Sequence, residues 1–248
     1  MFKRIYVLSA TALALSVSLS AADEIRIGGG GAAIATLITP IKATFEKETG
    51  HNLIILQSTP ARGLEELITG KLDAAIAAVT LDSMVSGAEK AKVKVDREAL
   101  QHLEVGINKT VVFVHPSNPV GTLTKEQMKG LFTGKIINWK DVGGKDSPVI
   151  VVWGKNSPGQ NALFTKVILD GEKVVKESLE TTDYKAIKDS VSANPEAIGI
   201  DPLGMADSSV KAIVPSPETN AAITLITKGV PSASVQQLIE FIKAQNSK

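Results

Sequence analysis

Cysteine is missing from this 248-residue sequence, and several kinds of chemistry go with it. Without a thiol there is no disulfide, no thiolate metal site, no cysteine nucleophile and no cysteine to carry a lipid anchor. Histidine is almost as scarce: His51, His102 and His115 are scattered, with no acid at ligand spacing, so neither a metal centre nor a histidine-based catalytic group is expected. Aromatic residues are few, at six Phe, two Trp and two Tyr, and the formal net charge is only +1. A base-stacking platform and a polyanion-binding face are both excluded, so no nucleic-acid partner is expected. Long apolar runs are absent too, apart from about thirteen residues, Val7 to Leu19. A membrane-spanning helix needs roughly 20.

What remains is a globular composition, 44% hydrophobic and 21% charged, with 20 Gly and 11 Pro spread among short elements. The first 22 residues read as an export signal, with Lys3 and Arg4 ahead of the apolar stretch and Ser20-Ala21-Ala22 at the cleavage position. Its removal leaves 25 basic and 26 acidic side chains. The mature chain is expected to be a soluble periplasmic monomer with no membrane anchor and no cofactor.

Along the mature chain, strands and helices alternate. Strands are expected at 24–27, 52–57 and 72–79, with helices at 34–48 and 64–69 between them. The apolar strands lack alternation, which argues for mostly parallel sheet covered on both faces. A long β-rich stretch, 103–115, ends at Pro116 and could cross between lobes. The segment 124–132 has a capping box from Thr124 and Gln127, with Gly134 beyond its end. Further elements are expected at 149–153, 160–169, 184–193, 197–200, 210–214, 222–226 and 235–244. The charged run 89–97 reads as a solvated helix face. The second α/β block is inserted in the first, giving lobes of 23–116 plus 213–248 and of 117–212, with hinges near 115–119 and 201–215.

Three polar, glycine-containing turns each stand between a strand and a helix. They are GGGGAA at 28–33, STPARG at 58–63 and NSPGQN at 156–161. Turns of this kind converge at the carboxyl ends of strands, where open α/β sheets take ligands. The first formally fits a dinucleotide fingerprint, but the second strand ends in Gln57-Ser58-Thr59 without the acid that would hold a ribose, so an oxidoreductase ranks third. Catalysis has no other support, because no serine sits in a nucleophile elbow. Asp146, Asp170 and Asp201 read as turn or capping groups. The candidate ligand-binding residues are Gly31, Ala32, Ala33, Ser58, Thr59, Arg62, Thr80, Lys155, Asn156, Ser157, Gly159, Gln160 and Asn161. Arg62 is the expected anchor for an anion, and Trp153 could line the pocket.

The stretch NPVGTLTKEQMKGLFTGKIINWKDVGG at 118–144 resembles a segment of phosphate-type periplasmic solute-binding proteins. NPEAIG at 194–199, the closing LITKGVPSASVQQLIEFIKA and the opening glycine turn are similar as well. The resemblance implies a two-lobed α/β fold of the type II periplasmic binding class with two interlobe crossings. It also implies a solute or oxyanion bound in the cleft and delivery to an inner-membrane ABC permease, with no chemistry done on the solute. The sequence departs from the family pattern where an anion would sit. Family members carry Arg-x-x-Gly-Ser-Gly-Thr after the strand at 149–153, whereas this chain reads GKNSPGQ at 154–160, and Ala32 and Ala33 replace side-chain donors. A doubly charged oxyanion needs several donors and usually an arginine fork. The departures leave open a carboxylate or an amide-bearing solute, and also a second class of function: a sensory or scaffold protein that keeps the fold and docks to a membrane receptor.

Overall fold

A computed structural model describes residues 23–155 and 157–246, with Asn246 as backbone only. The expected signal segment at 1–22 and the candidate site residue Asn156 lie outside the described residues.

The chain begins with β1 (Glu24–Gly30), which carries its glycines inside the strand. A continuous helical path follows: α1 (Gly31–Ala33), a π-helical stretch (Ile34–Ile38) and α2 (Thr39–Thr49), closed by Gly50 in the left-handed conformation. Next come β2 (Asn52–Ser58), α3 (Pro60–Ile68), β3 (Ala74–Ala77), α4 (Leu81–Lys90) and the long β4 (Leu100–Val114). The second lobe holds α5 (Lys125–Thr133), β5 (Ile150–Gly154), α6 (Pro158–Val167), β6 (Leu179–Thr181), α7 (Tyr184–Ala193), β7 (Ala197–Pro202) and β8 (Lys211–Ile213). The chain then returns through β9 (Thr219–Lys228) and closes with α8 (Ala233–Asn246).

The strands join in one mixed sheet of order β2-β1-β3-β9-β4-β7-β5-β6, with β8 also on β4. β1 runs parallel to β2 and β3, and β5 runs parallel to β6 and β7. β9 and β4 pair antiparallel to their neighbours. β4 ties the lobes together. Its residues Leu100 to Thr110 pair with β9, Thr110 to Val114 pair with β7, and β8 takes up β4 where β9 leaves it. The exchange of partners falls at Thr110, inside a strand rather than in the loop that follows it.

Each lobe has its own core. In the first, Ile25, Ile27, Phe45 and Leu53 pack with Leu238 and Ile242 of α8 on one face of the sheet, while Leu64, Leu67, Met84 and Val85 cover the other. In the second, Phe132, Trp139 and Phe164 form one layer, and Phe113, Ile187 and Val191 form the other. Trp139 also donates its indole N–H to the Glu196 carbonyl at 2.9 Å, which ties the 118–144 segment to β7.

The structure departs from the sequence reading in four places, each with a local cause. Helix α3 starts at Pro60, four residues early, because the Thr59 side chain accepts from the Arg62 N–H and proline fits the first helical turn. Helix α4, which the sequence reading passed over, is opened by Thr80 in the same way. The charged run 89–97 is helical only to Lys90; the chain then leaves the helix, with Lys92 at a φ of 63°. The edge strand β6 was also passed over, since three residues carry no readable period. The capping box of α5 is present with both reciprocal bonds: Gln127 N–H to Thr124 Oγ1 at 3.1 Å, and Thr124 N–H to Gln127 Oε1 at 2.9 Å.

Glycine is required where α3 crosses β1. A Cβ on Gly63 would lie 2.5 Å from the Gly29 Cα, and Gly29 itself has a φ of +118°. Backbone cannot yield as a side chain can. Gly63→Ala is therefore expected to lower unfolding stability by about 1–3 kcal/mol in urea titration.

Candidate functional site

Between the lobes lies a narrow cleft with a cavity volume of about 30 Å³. From the first lobe its wall is the end of β1 and the start of the helical path, Gly30, Gly31 and Ala32, together with Ser58 at the end of β2. From the second lobe it is Gly159 and Gln160 in the first turn of α6, and Tyr184 at the start of α7. Asn108 and Thr110, on the crossing strand β4, form the floor. A much larger groove of about 1090 Å³ runs beside Trp153, Asn161 and Lys166, but its lining comes from the second lobe alone. The site shared by both lobes is the narrow one.

Sequence order explains how these groups meet. β1, β2 and β3 run parallel, so the turns after them lie at the same end of the sheet. β5 and β7 are parallel in the second lobe, which places the turn before α6 beside the end of β7. The approach is tight: a Cβ on Gly159 would stand 3.3 Å from Val79 Cγ1 of the other lobe. Gln160 is buried, and its Nε2 donates to the Ile200 carbonyl at 3.1 Å. Because that contact needs an N–H, the other terminal atom is an oxygen, and Gln160 Oε1 is left buried with no partner. Asn108 is fixed on the floor by accepting from Thr36 Oγ1 at 2.9 Å.

The expected site residues divide. Gly31, Ala32, Ser58, Gly159 and Gln160 line the cleft. Ser157 is buried just behind it, its hydroxyl facing the Tyr184 phenol short of a well-formed hydrogen bond. The others are placed differently. Ala33 is fully buried in the first-lobe core. Thr59 and Thr80 are spent on capping α3 and α4. Arg62 turns along its own helix, where Nη1 meets Glu65 at 3.0 Å and Nε meets Glu66 at 2.9 Å, and those carboxylates hold its guanidinium above its ordinary pKa. Lys155 pairs with Glu180 at 2.5 Å. Asn161 donates to the Gly154 carbonyl at 2.7 Å and lines the outer groove. Trp153 also faces that groove, packed edge-on against Phe132 at a ring-centroid distance of 6.0 Å. Among the described residues, the cleft lining thus contains no charged side chain.

Sequence reasoning missed Asn108, Thr110, Tyr184 and Asp201. The first two lie in a strand read only as a crossing, and Tyr184 looks like any helix-starting aromatic. Asp201, read as a loop acid, is instead a fully buried residue of β7 paired with Val111. Neither carboxyl oxygen has a hydrogen-bond partner. Burial pushes its pKa up to about 9, with Asp183 adding to the rise and Lys188 opposing it. Lys188 itself is engaged by Asp207 at 2.8 Å. Tyr184 is pushed up to about 12, first by burial, while the Ser157 hydroxyl and the Ala32 backbone N–H pull the other way. Among the described residues, every buried side-chain oxygen without a partner belongs to the second lobe: those of Ser157, Gln160, Asn161, Thr181 and Asp201.

With this geometry in view, the kinship is direct. A family model described as a PBP superfamily domain matches residues 16–240, and the chain belongs to that family. The "Phosphate-binding protein PstS" of Bacillus subtilis (strain 168) is 27% identical over 179 residues, covering 72% of this chain and 57% of that protein. This chain spans about half the length of the curated relatives it matches. Among solved structures, a candidate phosphate ABC transporter substrate-binding protein from Clostridium perfringens with bound phosphate has a TM-score of 0.72 and 22% identity. That match covers 88% of this chain and 92% of the other. An ABC-type phosphate transport receptor from Vibrio cholerae has a TM-score of 0.60 and 22% identity, covering 90% and 95%. These likenesses establish the two-lobed binding-protein fold.

The buried acid gives a signed pH dependence. Between the ordinary carboxylate value of 3.8 and about 9, Asp201 keeps its proton when folded and loses it when unfolded. Stability contributed by the neutral acid is therefore full below pH 4 and falls as pH rises toward 9. Asp201→Asn removes the titration. Its stability relative to wild type is expected to grow from pH 4 to pH 8, by at least about 1 kcal/mol, in urea titrations at both pH values.

Proposed function

We propose that this protein is a periplasmic solute-binding protein that captures a small oxyanion-class solute between its lobes and presents it to an ABC-type importer. It carries out no reaction on the solute. One observation carries the reading: the glycine turn at Gly30–Ala32 and the first turn of α6 at Gly159–Gln160 face each other across one narrow cleft, each from a different lobe. A guest held there touches both lobes at once, so its binding energy favours the closed arrangement over any open one. The kinship with phosphate-binding proteins supports an oxyanion as the solute. Export through the segment 1–22, action as a monomer without a lipid anchor, and docking to an inner-membrane permease complete the reading.

The lining favours a guest of low charge. With Arg62 and Lys155 paired to carboxylates outside the cleft, charge on the guest must be met by backbone N–H groups and neutral side chains. Such groups can replace the hydration of a monoanion far more readily than that of a dianion. Transport also has a mechanical basis in this fold, since β4 and the 214–218 connection are the two passages between lobes, and bending there opens the cleft.

The test is calorimetry and thermal shift on the mature chain with inorganic phosphate, sulfate and small carboxylates. One class is expected to raise the melting temperature in a concentration-dependent way. Gln160→Ala should weaken a proton-bearing guest such as the phosphate monoanion, whose P–O–H can donate to Gln160 Oε1, about tenfold, the equivalent of roughly 1.4 kcal/mol for a lost buried hydrogen bond, whereas Arg62→Ala should bind as wild type does. Failure of every small anion to shift the melting curve overturns the reading.

A further inference from the structure

The cleft, at about 30 Å³, is small beside the outer groove of about 1090 Å³. Its smallness has an identifiable cause. Tyr184, buried at the start of α7 in the second lobe, extends across to the glycine turn of the first lobe. A Cβ on Gly31 would lie only 2.8 Å from Tyr184 Cε2, so the ring rests directly against that backbone. Ala32, the next residue of the cleft wall, stands in the first helical turn, where backbone N–H groups have no intrahelical acceptor and can serve a bound solute. Around it, Gln160 Oε1 and Ser157 Oγ are left without partners. The ring is therefore seated in the interlobe space, against the glycine turn.

We propose that Tyr184 determines the size of solute this cleft accepts, by filling the interlobe space against Gly31. The inference rests on the cleft being the solute site and adds the residue that limits the solute. With the ring in place, only a solute of a few heavy atoms fits, and only after a modest shift of the phenol. With the ring removed, the same backbone donor and unpartnered acceptors face a space of benzene size. That space then admits an ester or other bulky derivative of the small solute. Glycine at position 31 fits this arrangement, since any side chain there would push the phenol away.

Two measurements on full-length mature protein test this. First, p-cresol, which reproduces the missing side chain, is added to wild type, Tyr184→Ala and Tyr184→Phe. It should raise the melting temperature of Tyr184→Ala alone. An unchanged melting temperature for that variant overturns the proposal. Second, inorganic phosphate and phenyl phosphate are titrated calorimetrically. The affinity of phenyl phosphate relative to phosphate should rise at least tenfold in Tyr184→Ala and stay as in wild type in Tyr184→Phe; an unaltered ratio in Tyr184→Ala overturns the proposal. Should Tyr184→Ala fail to fold, Tyr184→Leu carries the second measurement with the same expected direction. If neither phosphate species binds to any of these proteins, the oxyanion reading fails, and the p-cresol result alone decides the role of Tyr184.

Discussion

Backbone pairing along β4 is the constraint on which the rest of the molecule depends. One strand contributes to the first lobe through β9 and to the second through β7, and it changes partners at Thr110 without leaving the sheet. The two cores are thereby joined through one shared hydrogen-bonded strand rather than through a flexible linker. The carboxyl ends of β1 and β2 are held opposite the first turn of α6, and the cleft follows from that geometry. Asn108 and Thr110 lie in its floor because they lie where the strand passes from one lobe to the other.

The polar balance across this cleft is uneven. The first lobe offers backbone N–H groups from a glycine turn, and the second offers Gln160 Oε1, which has no partner. A buried acceptor with no donor is unfavourable unless water or a ligand completes it. An acceptor left open at the wall of a cleft is what a binding surface uses and what a purely structural interface would avoid. Asp201 belongs to the same pattern. It is buried in β7 opposite Val111, its carboxyl oxygens have no partner, and burial raises its pKa.

Most of the fold was legible in the sequence because its elements announce themselves locally. Thr124, Gln127 and Gly134 bracket α5, and the apolar runs mark β2 and β5 as strands, although β2 is not covered on both faces as expected: it is the sheet edge, where Leu53 is buried and Leu56 exposed. α7 was placed at the same residues that the structure shows. The antiparallel course of β9 was not readable, since pairing direction depends on where the chain returns and not on any local pattern. For the site, backbone contributors were easier to find than side chains. Gly31, Gly159 and Gln160 lie in turns whose position follows from the alternation of strand and helix. Arg62 was assigned by its charge, and one turn farther along α3 stand two glutamates that claim it. Tyr184 and Asp201 come from elements distant in sequence from the turns, so only the tertiary arrangement brings them to the cleft.

The irregularity in β4 between Glu104 and Gly106 has a mechanical consequence. A strand that carries an extra residue on one side is bent there and twisted more strongly than a regular strand. Because this offset stands just ahead of the lobe exchange at Thr110, motion of one half against the other can be absorbed as added twist along a single ribbon, with its neighbours still attached. The two halves of such a molecule would swivel like a sprung clasp, returning by elasticity of the sheet itself.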